Sequence, residues 1–276
     1  MSGTLTLCGT PIGNLSDLSE RAIKTIGDAD LIFAEDTRRT AKLLAHLGIS
    51  VPMRSFFAGN EQARLSLLRD ELEAGRDIVL VSDAGMPIIS DPGASAVQVA
   101  VDCGAAVGVV PGPSAVVTAL VVSGFNGDRF IFDGFLPRKG HARTVALEAL
   151  VDEQRTVVLF AAPSRVAADL ADLASVAGSQ RRVVVTRELT KVFEEIWRGT
   201  LGEAADHWTR DGTTKGEFTV VIEGAQMREP SMTDAVAAAL GMISKGASTS
   251  DAVKTVTATH GVRRNELYEN VVKERS

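Results

Sequence analysis

Three glycine- and proline-rich turns follow apolar runs that have the composition of buried strands. The turns are Gly9-Thr10-Pro11-Ile12-Gly13-Asn14-Leu15, Ser82-Asp83-Ala84-Gly85-Met86-Pro87 and Pro111-Gly112-Pro113-Ser114-Ala115. Because glycine has no Cβ and proline fixes φ, such turns let backbone groups approach a ligand closely. None of the three matches the dinucleotide-binding Gly-x-Gly-x-x-Gly pattern or the phosphate-binding loop. One such turn alone indicates only a chain reversal, but three together favour a small-molecule site.

A fourth strand end carries a dense set of charges, Glu35-Asp36-Thr37-Arg38-Arg39. Two acids and two bases in five residues are typical of a solvated helix start that Asp36 or Thr37 caps. The same residues would hold one carboxylate and one guanidinium over a substrate if they share a rim with the glycine turns. Both interpretations stay open on the residues alone.

Basic and amide side chains form a second class of candidate residues, which suit a substrate better than a cofactor. They are Asn60-Glu61, Arg138-Lys139-Gly140-His141-Ala142-Arg143, Arg165 and Arg187-Glu188-Leu189-Thr190-Lys191. From Arg129 to Arg143 four bases stand against one acid, Asp133, which suits phosphate contacts. A solvated loop explains this run equally well. The bases after residue 250 are offset by acids, so a packing role there is at least equal to nucleic-acid binding.

Strands and helices alternate along the first 125 residues, which predicts crossover units around a mostly parallel sheet. The predicted strands are 4–8, 31–34, 78–81 and 107–110, and two of the helices are 39–47 and 61–74. Ser16 or Asp17 is expected to cap the first helix. Because open parallel sheets bind ligands at the carboxyl ends of their strands, this architecture brings the three turns and the charged run to one rim.

A second α/β set begins near Arg129 and is followed by a helical end. Its predicted strands are 130–132, 156–160, 182–185 and 218–222, and its predicted helices are 142–151, 164–177 and 200–210. The polar stretch Met227 to Met232 is predicted to be a linker, followed by helices that include two short ones around Gly261. The sequence therefore predicts an α/β protein with domains at residues 1–125 and 126–228 and a helical segment at 229–276.

The composition is that of a soluble globular protein. The 276 residues are 45% hydrophobic and 23% charged, with a net charge of −6. This balance excludes a mainly disordered chain and a strongly basic nucleic-acid binder, although not a local basic patch. Cys8 and Cys103 lie in apolar segments, and the four histidines lack ligand spacing, so no metal site is predicted.

The uncharged stretch from Cys103 to Asn126 is long enough to suggest a membrane span. Six glycines and prolines interrupt it, however, so a strand, a turn and a helix start explain it better. The N-terminus also lacks the positive region of a signal peptide. We therefore expect a cytoplasmic protein with no membrane partner.

Seven motifs follow one another in order along the chain. They are Gly9–Leu15, Ala34-Glu-Asp-Thr-Arg38, Ser82–Pro87, Asp91-Pro-Gly93, Pro111-Gly-Pro113, Gly134-Phe-Leu-Pro137 and Arg187–Lys191. In this order, and together with the chain end Gly261–Tyr268, they resemble the ribosomal RNA small-subunit methyltransferase I family over essentially the whole chain. The resemblance implies two α/β domains of the tetrapyrrole methylase type with S-adenosylmethionine between them. It also implies a homodimer that methylates the ribose 2′-oxygen of a cytidine in the decoding region of 16S rRNA, within the small ribosomal subunit.

The resemblance also assigns roles to individual residues. The cofactor-binding residues that it implies are Pro11, Asp83, Ala84, Gly85, Pro87, Ile88, Ser114 and Ala115. We expect Asp36 or Glu61 to accept the proton of the ribose hydroxyl or to orient the sugar. The expected substrate-binding residues are Arg38, Arg39, Asn60, Arg138, Lys139, Arg165, Arg187, Glu188 and Lys191. No metal ion is required, because the sulfonium already activates the methyl group.

Two segments depart from the family pattern. Phe57-Ala58-Gly59 stands where the family usually has a histidine-bearing stretch, and Ala161 and Ser164 replace the usual acid and histidine before Arg165. These changes keep two alternatives open, a same-fold methyltransferase acting on a tetrapyrrole or a protein side chain, and a ribosome-binding relative without turnover. A DNA-binding regulator acting through residues 248–276 is weaker, since no net basic face is evident there.

Overall fold

The structure is a computed structural model that describes residues 2–212, 215–226 and 231–275. The chain divides into two compact units, residues 1–225 and 226–276. Residues 227–230 of the predicted linker, and with them the predicted boundary at 228, lie outside the described residues. The predicted boundary at 125 stays a prediction. Across the described ranges, every helix is too short or too polar to span a membrane.

The first sheet is fully parallel, with the strand order β3-β2-β4-β1-β5. Its strands are β1 (Thr4–Cys8), β2 (Leu31–Ala34), β3 (Met53–Ser55), β4 (Asp77–Val81) and β5 (Ala106–Val110). Its helices are α1 (Glu20–Gly27), α2 (Thr37–Leu47), α3 (Glu61–Glu73), α4 (Ala94–Asp102) and α5 (Ala115–Ser123). Apolar residues of α1 and α2 cover one face of the sheet and those of α3 and α4 cover the other. Burial on both faces explains why the central strands are continuous apolar runs.

The second sheet is mixed, with the strand order β6-β7-β10-β8-β9. Its strands are β6 (Phe130–Phe135), β7 (Thr156–Ala161), β8 (Arg182–Arg187), β9 (Glu195–Thr200) and β10 (Phe218–Ile222). Its helices are α6 (His141–Ala149), α7 (Val166–Ala177) and α8 (Leu201–Asp211). Only β6 and β7 pair in parallel, whereas β10 runs antiparallel to both of its neighbours. The predicted α/β class is thus confirmed.

Helix α5 joins the two halves of the first unit. It follows β5 of the first sheet, and its Val116, Ala119 and Leu120 pack against Val158 and Val221 of the second. The other face of the second sheet is covered by α7 and α8. The uncharged stretch that resembled a membrane span is therefore strand β5, a turn and α5, as predicted.

The second unit consists of three helices, α9 (Met232–Ser244), α10 (Thr249–His260) and α11 (Arg264–Arg275). Ala235, Ala239 and Ala252 are completely buried in its core. Small side chains at such positions let helix backbones approach closely. Gly261 ends α10 in a left-handed conformation with φ of 67°, which glycine adopts without a steric cost.

Several elements differ from the sequence-based predictions. The cap of α1 is Ser19, whose side chain accepts from the Ala22 amide; Ser16 and Asp17 instead lie in a short 3-10 turn before it. Strand β3, helix α4 and strand β9 were not predicted. Strand β3 has only three residues, and the edge strand β9 has no fully buried residue, so neither carries a clear hydrophobic pattern.

Arg143, which belongs to the basic run considered as a phosphate contact, is buried in this structure. Its guanidinium donates to Asp169 at 2.8 Å, to Asp172 at 2.5 Å and to the Pro137 carbonyl at 2.9 Å. Arg165 also pairs with Asp169, at 3.2 Å. These contacts fasten the start of α6 to α7, so Arg143 is a structural residue and is not free to bind phosphate.

We predict that Arg143→Ala lowers the free energy of unfolding by about 3 kcal/mol, because it leaves the buried Asp169 carboxylate with a weaker partner. Urea unfolding followed by circular dichroism measures this loss. Arg138→Ala serves as the control, since Arg138 is exposed in the same basic run and its removal should change stability by less than about 0.5 kcal/mol. Equal stability of the two variants would contradict a structural role for Arg143.

Candidate functional site

The three glycine-rich turns meet at the carboxyl ends of β1, β4 and β5. The first and second turns form a two-way backbone bridge, in which the Thr10 amide donates to the Gly85 carbonyl at 2.8 Å and the Gly85 amide donates to Thr10 at 3.1 Å. The Thr10 hydroxyl adds a bond to the Ser82 carbonyl at 3.3 Å. The turns that the sequence singled out therefore form one connected rim, as the parallel topology predicted.

Two glycines bring the first and third turns into backbone contact. A Cβ on Gly9 would lie 2.7 Å from the Cα of Gly112, and a Cβ on Gly112 would lie 2.8 Å from the Cα of Gly9. Neither position has room for a side chain. Gly85, at the bridge, has φ of 82°, which also favours glycine. The first and third turns therefore pack backbone to backbone, and the Gly112 amide also donates to the Met86 sulfur of the second turn at 3.3 Å.

The charged run after β2 lies against the second turn. The Asp36 amide donates to the Asp83 carboxylate at 2.9 Å, and the Asp83 amide donates to Glu35 at 3.1 Å. Arg39 approaches the other Asp83 oxygen at 3.4 Å. This network fixes the Asp83 and Glu35 carboxylates, each with its own donor, at the rim of the cleft.

A cavity of about 400 Å³ opens between these turns and the second sheet. Asp83, Gly85 and Ala115 form its wall on the first sheet's side, and Phe135 and Phe160 form its apolar wall on the other. Phe135 and Phe160 pack together with ring centroids 5.5 Å apart. A cavity of this size, mostly apolar with a few carboxylates, suits an organic molecule that carries polar or positively charged groups.

A second cavity of about 390 Å³ adjoins the first and shares Asp83 and Arg39 with it. Its rim carries the cationic side chains of Lys42 and Lys191 in addition to Arg39. The first cavity is thus carboxylate-lined and the second cation-rimmed. This division suits two different ligands placed side by side, the second of them anionic.

Asp91 lines the first cavity on a strained turn. Ser90, next to Asp91, has φ of 65°, and Ile88, three residues before it, has φ of 77°. Residues other than glycine rarely adopt such values, and backbone strain of this kind concentrates at functional sites. Partial burial, reinforced by the negative charge of Glu35, raises the pKa of Asp91 to about 6, although a hydrogen bond with Ser82 opposes the shift. The sequence analysis quoted the motif Asp91-Pro-Gly93 but gave Asp91 no role.

The structure brings most of the predicted cofactor residues to this cleft. Asp83, Ala84, Gly85, Ser114 and Ala115 line the first cavity, and Pro11 lines the second. Pro87 and Ile88 instead line a separate apolar hollow of about 500 Å³ beside β5.

The two carboxylates predicted to handle the proton do not line either cavity. Asp36 caps α2 by accepting from the Arg38 amide at 2.8 Å. The Arg38 guanidinium lowers the pKa of Asp36 well below its usual range, which makes this carboxylate a weak base. Glu61 accepts from the Ser95 hydroxyl and from the Gly93 amide, and so joins α3 to the start of α4. Their catalytic role stays a prediction.

The predicted substrate residues divide into two groups. Arg39 and Lys191 reach the second cavity, Arg187 ends strand β8, and Glu188 begins the loop that carries Lys191. The remaining ones lie elsewhere: Arg38 pairs with Asp36, Asn60 bonds to Ser55, Arg165 pairs with Asp169, and Arg138 and Lys139 are exposed in the turn before α6. None of these five lines either cavity.

The loop between β8 and β9 packs against the first turn. The Asn14 amide donates to the Thr190 hydroxyl at 3.1 Å, and a Cβ on Gly13 would lie 2.4 Å from Lys191. Lys191 donates to Glu188 at 2.8 Å and to Glu217 at 3.1 Å. Burial opposes but does not outweigh these bonds, which lower the pKa of Glu188 and raise that of Lys191. Both groups are therefore charged at neutral pH.

The two departures from the family pattern fall in different surroundings. Ala161 is buried in the core beneath α7 and also lines the first cavity, so the acid that is usual in the family is missing at the edge of this cavity. Ser164 is exposed and lines neither cavity. Among the residues that the structure describes, no three histidine, cysteine or acidic side chains converge as metal ligands would.

Comparison with known proteins gives a consistent result. Residues 4–205 match the family described as Tetrapyrrole (Corrin/Porphyrin) Methylases. A protein of Synechocystis sp. named Ribosomal RNA small subunit methyltransferase I is 41% identical over 97% of this chain and 96% of its own. A protein of Mycobacterium tuberculosis with the same name is 43% identical over 99% of this chain and 96% of its own.

A solved structure shares the fold at low sequence identity. It is the uroporphyrin-III C-methyltransferase of Thermus thermophilus complexed with S-adenyl homocysteine, which covers 79% of this chain and 96% of its own. The TM-score is 0.57 and the sequence identity is 15%. This similarity concerns the fold, and the sequence relatives carry the resemblance in function.

Proposed function

Because the chain belongs to the ribosomal RNA small subunit methyltransferase I family of tetrapyrrole methylase-type enzymes, we propose that it methylates the ribose 2′-oxygen of a cytidine in the decoding region of 16S rRNA. The observation that carries the proposal is identity above 40% to named rRNA methyltransferases over nearly the full chain, joined to a carboxylate-lined cavity beside a cation-rimmed one. The proposed substrate is 16S rRNA in the small ribosomal subunit, so we propose that the protein acts in the cytoplasm.

The residues of the first cavity fit S-adenosylmethionine. Glycine at positions 9 and 112 lets two of the turns pack backbone to backbone, and Asp83 and Glu35, which line the cavity, offer carboxylates to the ribose and the positive groups of the cofactor. Phe135 and Phe160 provide an apolar wall. When bound, the cofactor supplies a methyl group that its sulfonium activates for transfer.

The second cavity suits the nucleotide that receives the methyl group. Lys42 has no ion pair in the described ranges and can contact a phosphate beside the target ribose. Arg39 and Lys191 add cationic groups, although Asp83, Glu188 and Glu217 pair with them. Holding the ribose at the shared wall of the two cavities would align its oxygen with the methyl carbon. Alignment of this kind accounts for much of the rate enhancement of a transfer reaction.

Among the carboxylates that line the first cavity, Asp91 is the one available to accept the proton of a ribose hydroxyl that reaches into that cavity from the shared wall. Glu35 and Asp83 are held by backbone amides and Arg39, whereas Asp91 has no ion pair in the described part of the chain. Its pKa of about 6 leaves it ionised at neutral pH and still basic enough to take a proton. The family's usual acid at position 161 is an alanine here, so another carboxylate must serve if one is used.

Two alternatives fit less well. Methyltransferases of this fold that act on tetrapyrroles tend to open with a Gly-x-Gly-Pro-Gly loop, and this chain has Thr10-Pro11-Ile12-Gly13-Asn14 instead. A ribosome-binding relative without turnover is supported by the alanine at position 161, where the family usually has an acid, but the rest of the cleft is that of an enzyme. A methyl-transfer assay separates that protein from an enzyme.

The proposal is tested by incubating the purified protein with radiolabelled S-adenosylmethionine and undermethylated small subunits, with free 16S rRNA and a protein-only control in parallel. We expect label on one cytidine ribose of 16S rRNA, located by nuclease digestion and mass spectrometry. Cofactor binding without label in RNA would support the relative without turnover. Label in protein alone would support the protein side chain as the substrate.

Asp91→Asn should reduce kcat at least 100-fold, because the amide cannot accept the proton. The wild-type kcat should also fall below about pH 6, where Asp91 becomes protonated. Asp36→Asn, assayed in parallel, compares the two candidate acids. Loss of activity in Asp36→Asn with full activity in Asp91→Asn would assign the proton to Asp36.

The same substitution should stabilise the fold at neutral pH. The pKa of Asp91 rises from 3.8 in the unfolded chain to about 6 in the folded one, so the folded protein binds the proton more tightly. Stability is therefore lost as the pH rises from 4 to 6, and the loss persists above pH 6. Asp91→Asn should raise the free energy of unfolding at pH 7.5 by about 1 kcal/mol, allowing for partial exposure, and by nothing at pH 4.

We also propose that the protein acts as a homodimer through β5 and α5. Strand β5 is an edge of the first sheet, and its Val109 is 55% exposed. Val121, on α5, is 72% exposed, and the apolar hollow that contains Pro87 and Ile88 lies beside β5. An apolar edge strand of this kind associates readily unless it is covered, and a second copy of the chain would cover it.

Val109→Asp should convert the dimer to a monomer, because the interface would then bury an unpaired carboxylate. We expect the dissociation constant to rise at least 100-fold, measured by sedimentation velocity across a concentration series. Val145→Asp is the matched control, since Val145 is an equally exposed valine on α6. A wild-type protein that stays monomeric at tens of micromolar would contradict the proposal.

A further inference from the structure

The loop between β8 and β9 exposes two apolar side chains at its tip. Val192 is 92% exposed and Phe193 is 78% exposed, although the residues on both sides of them are held in place. The Thr190 amide donates to the Glu194 carboxylate at 2.6 Å, and the Glu194 amide donates to the Lys191 carbonyl at 3.1 Å. The tip is thus clamped at its base while its side chains face solvent.

The loop also adopts an unfavourable backbone to hold this shape. Glu188 and Thr190 have φ of 52° and 65°, although neither is a glycine. An exposed loop tip ordinarily moves into a favourable backbone conformation, because no contact holds its backbone. Here the bonds from Lys191 to Glu188 and Glu217 hold the strained residues. Strain that a network maintains is typical of a binding element.

The tip stands next to the cavity proposed for the target nucleotide. Lys191 lines the second cavity and precedes Val192 directly, and Thr190 bonds to Asn14 of the first turn. The same cavity is bordered by Lys42, for which the described part of the chain provides no ion pair. Phe193 thus lies two residues along the chain from a cationic residue of this cavity.

The ring of Phe193 has no aromatic or cationic partner in the described part of the chain. A phenylalanine face beside lysines that attract phosphates is the combination that binds unpaired nucleobases, because every base has an aromatic face to stack. The unpartnered ring and its place beside the cavity proposed for the nucleotide therefore favour RNA over a protein surface as the occupant, although Glu194 and Glu195 follow the ring directly.

We propose that Phe193 stacks on an unpaired nucleobase next to the methylated nucleotide and so positions the RNA, with Val192 supporting the same contact. This inference rests on the proposed function, since it takes rRNA as the substrate. It makes Phe193 a substrate-positioning residue and the loop of residues 188–194 an RNA-recognition element that is separate from the cofactor-binding turns.

The test compares Phe193→Ala, Phe193→Trp and Phe193→Leu with the wild type. Affinity for undermethylated small subunits and for free 16S rRNA is measured by filter binding in the presence of S-adenosylhomocysteine, and kcat and KM are measured by methyl transfer. Tyr268→Ala is the control, because Tyr268 is an exposed aromatic residue of the second unit.

We expect Phe193→Ala to weaken RNA binding and to raise KM about tenfold, with kcat and S-adenosylhomocysteine affinity unchanged. Phe193→Trp should keep the RNA affinity and the KM of the wild type, because its aromatic ring can still stack. Phe193→Leu should show the same defects as Phe193→Ala. Unchanged affinity in Phe193→Ala would overturn the proposal. Full rescue by leucine, or a defect limited to assembled subunits, would also overturn it and indicate a protein contact.

The binding arm distinguishes a failure of this inference from a failure of the proposed activity. A wild type that binds rRNA and transfers no methyl group would refute the proposed activity, while the comparison of Phe193 variants in RNA binding still decides the role of the loop. A wild type that neither binds nor methylates rRNA would refute both.

Discussion

The close approach of Gly9 and Gly112 is the constraint on which the cleft depends. Strands β1 and β5 are neighbours, so the turns that follow them must leave the sheet side by side. With two glycines the backbones touch, and no side chain separates the turns at this point. The bridge between Thr10 and Gly85 then adds the turn after β4. One rigid rim, built from backbone, results from three strands that are far apart in sequence, and its shape does not depend on flexible side chains.

The rim becomes a cleft because α5 and the loop after β8 fix the second sheet against it. Helix α5 starts directly after the third turn and buries its apolar face on β7 and β10, so the turn's exit direction determines where the second sheet lies. On the opposite side, the contact between Gly13 and Lys191 is too close for any other residue type at position 13. Helix α5 borders the first cavity, and the contact between Gly13 and Lys191 borders the second. The geometry of the site is therefore set by the packing of the whole first unit rather than by local loops.

Much of the architecture and part of the site could be predicted from the sequence. Strands such as β4, buried on both faces, are continuous apolar runs, and glycines such as Gly48 mark helix ends, so pattern and composition suffice. The location of Asp83 and Gly85 at the cleft could be predicted, because they follow a strand of a parallel sheet. Asp91 and Phe193 did not, because their significance lies in burial, backbone strain and exposure, which no spacing reveals. Asp36 was predicted to be catalytic because charged residues surround it in the sequence. In the structure its carboxylate accepts from the amide of its neighbour Arg38 and caps α2.

The carboxylates of the site illustrate why environment, not residue type, divides their roles. Asp36, Asp83 and Asp91 are the same residue type within one small region, yet Arg38 holds the first ionised at a helix start, and one backbone amide and Arg39 hold the second at the cleft wall. The third has no ion pair in the described ranges, and partial burial and the charge of Glu35 make its ionisation costly. A group whose charged form is disfavoured by the fold, and which still faces a cavity, is the one that gains most from taking up a proton. The instability of the ionised Asp91 and its suitability as a base have the same physical origin.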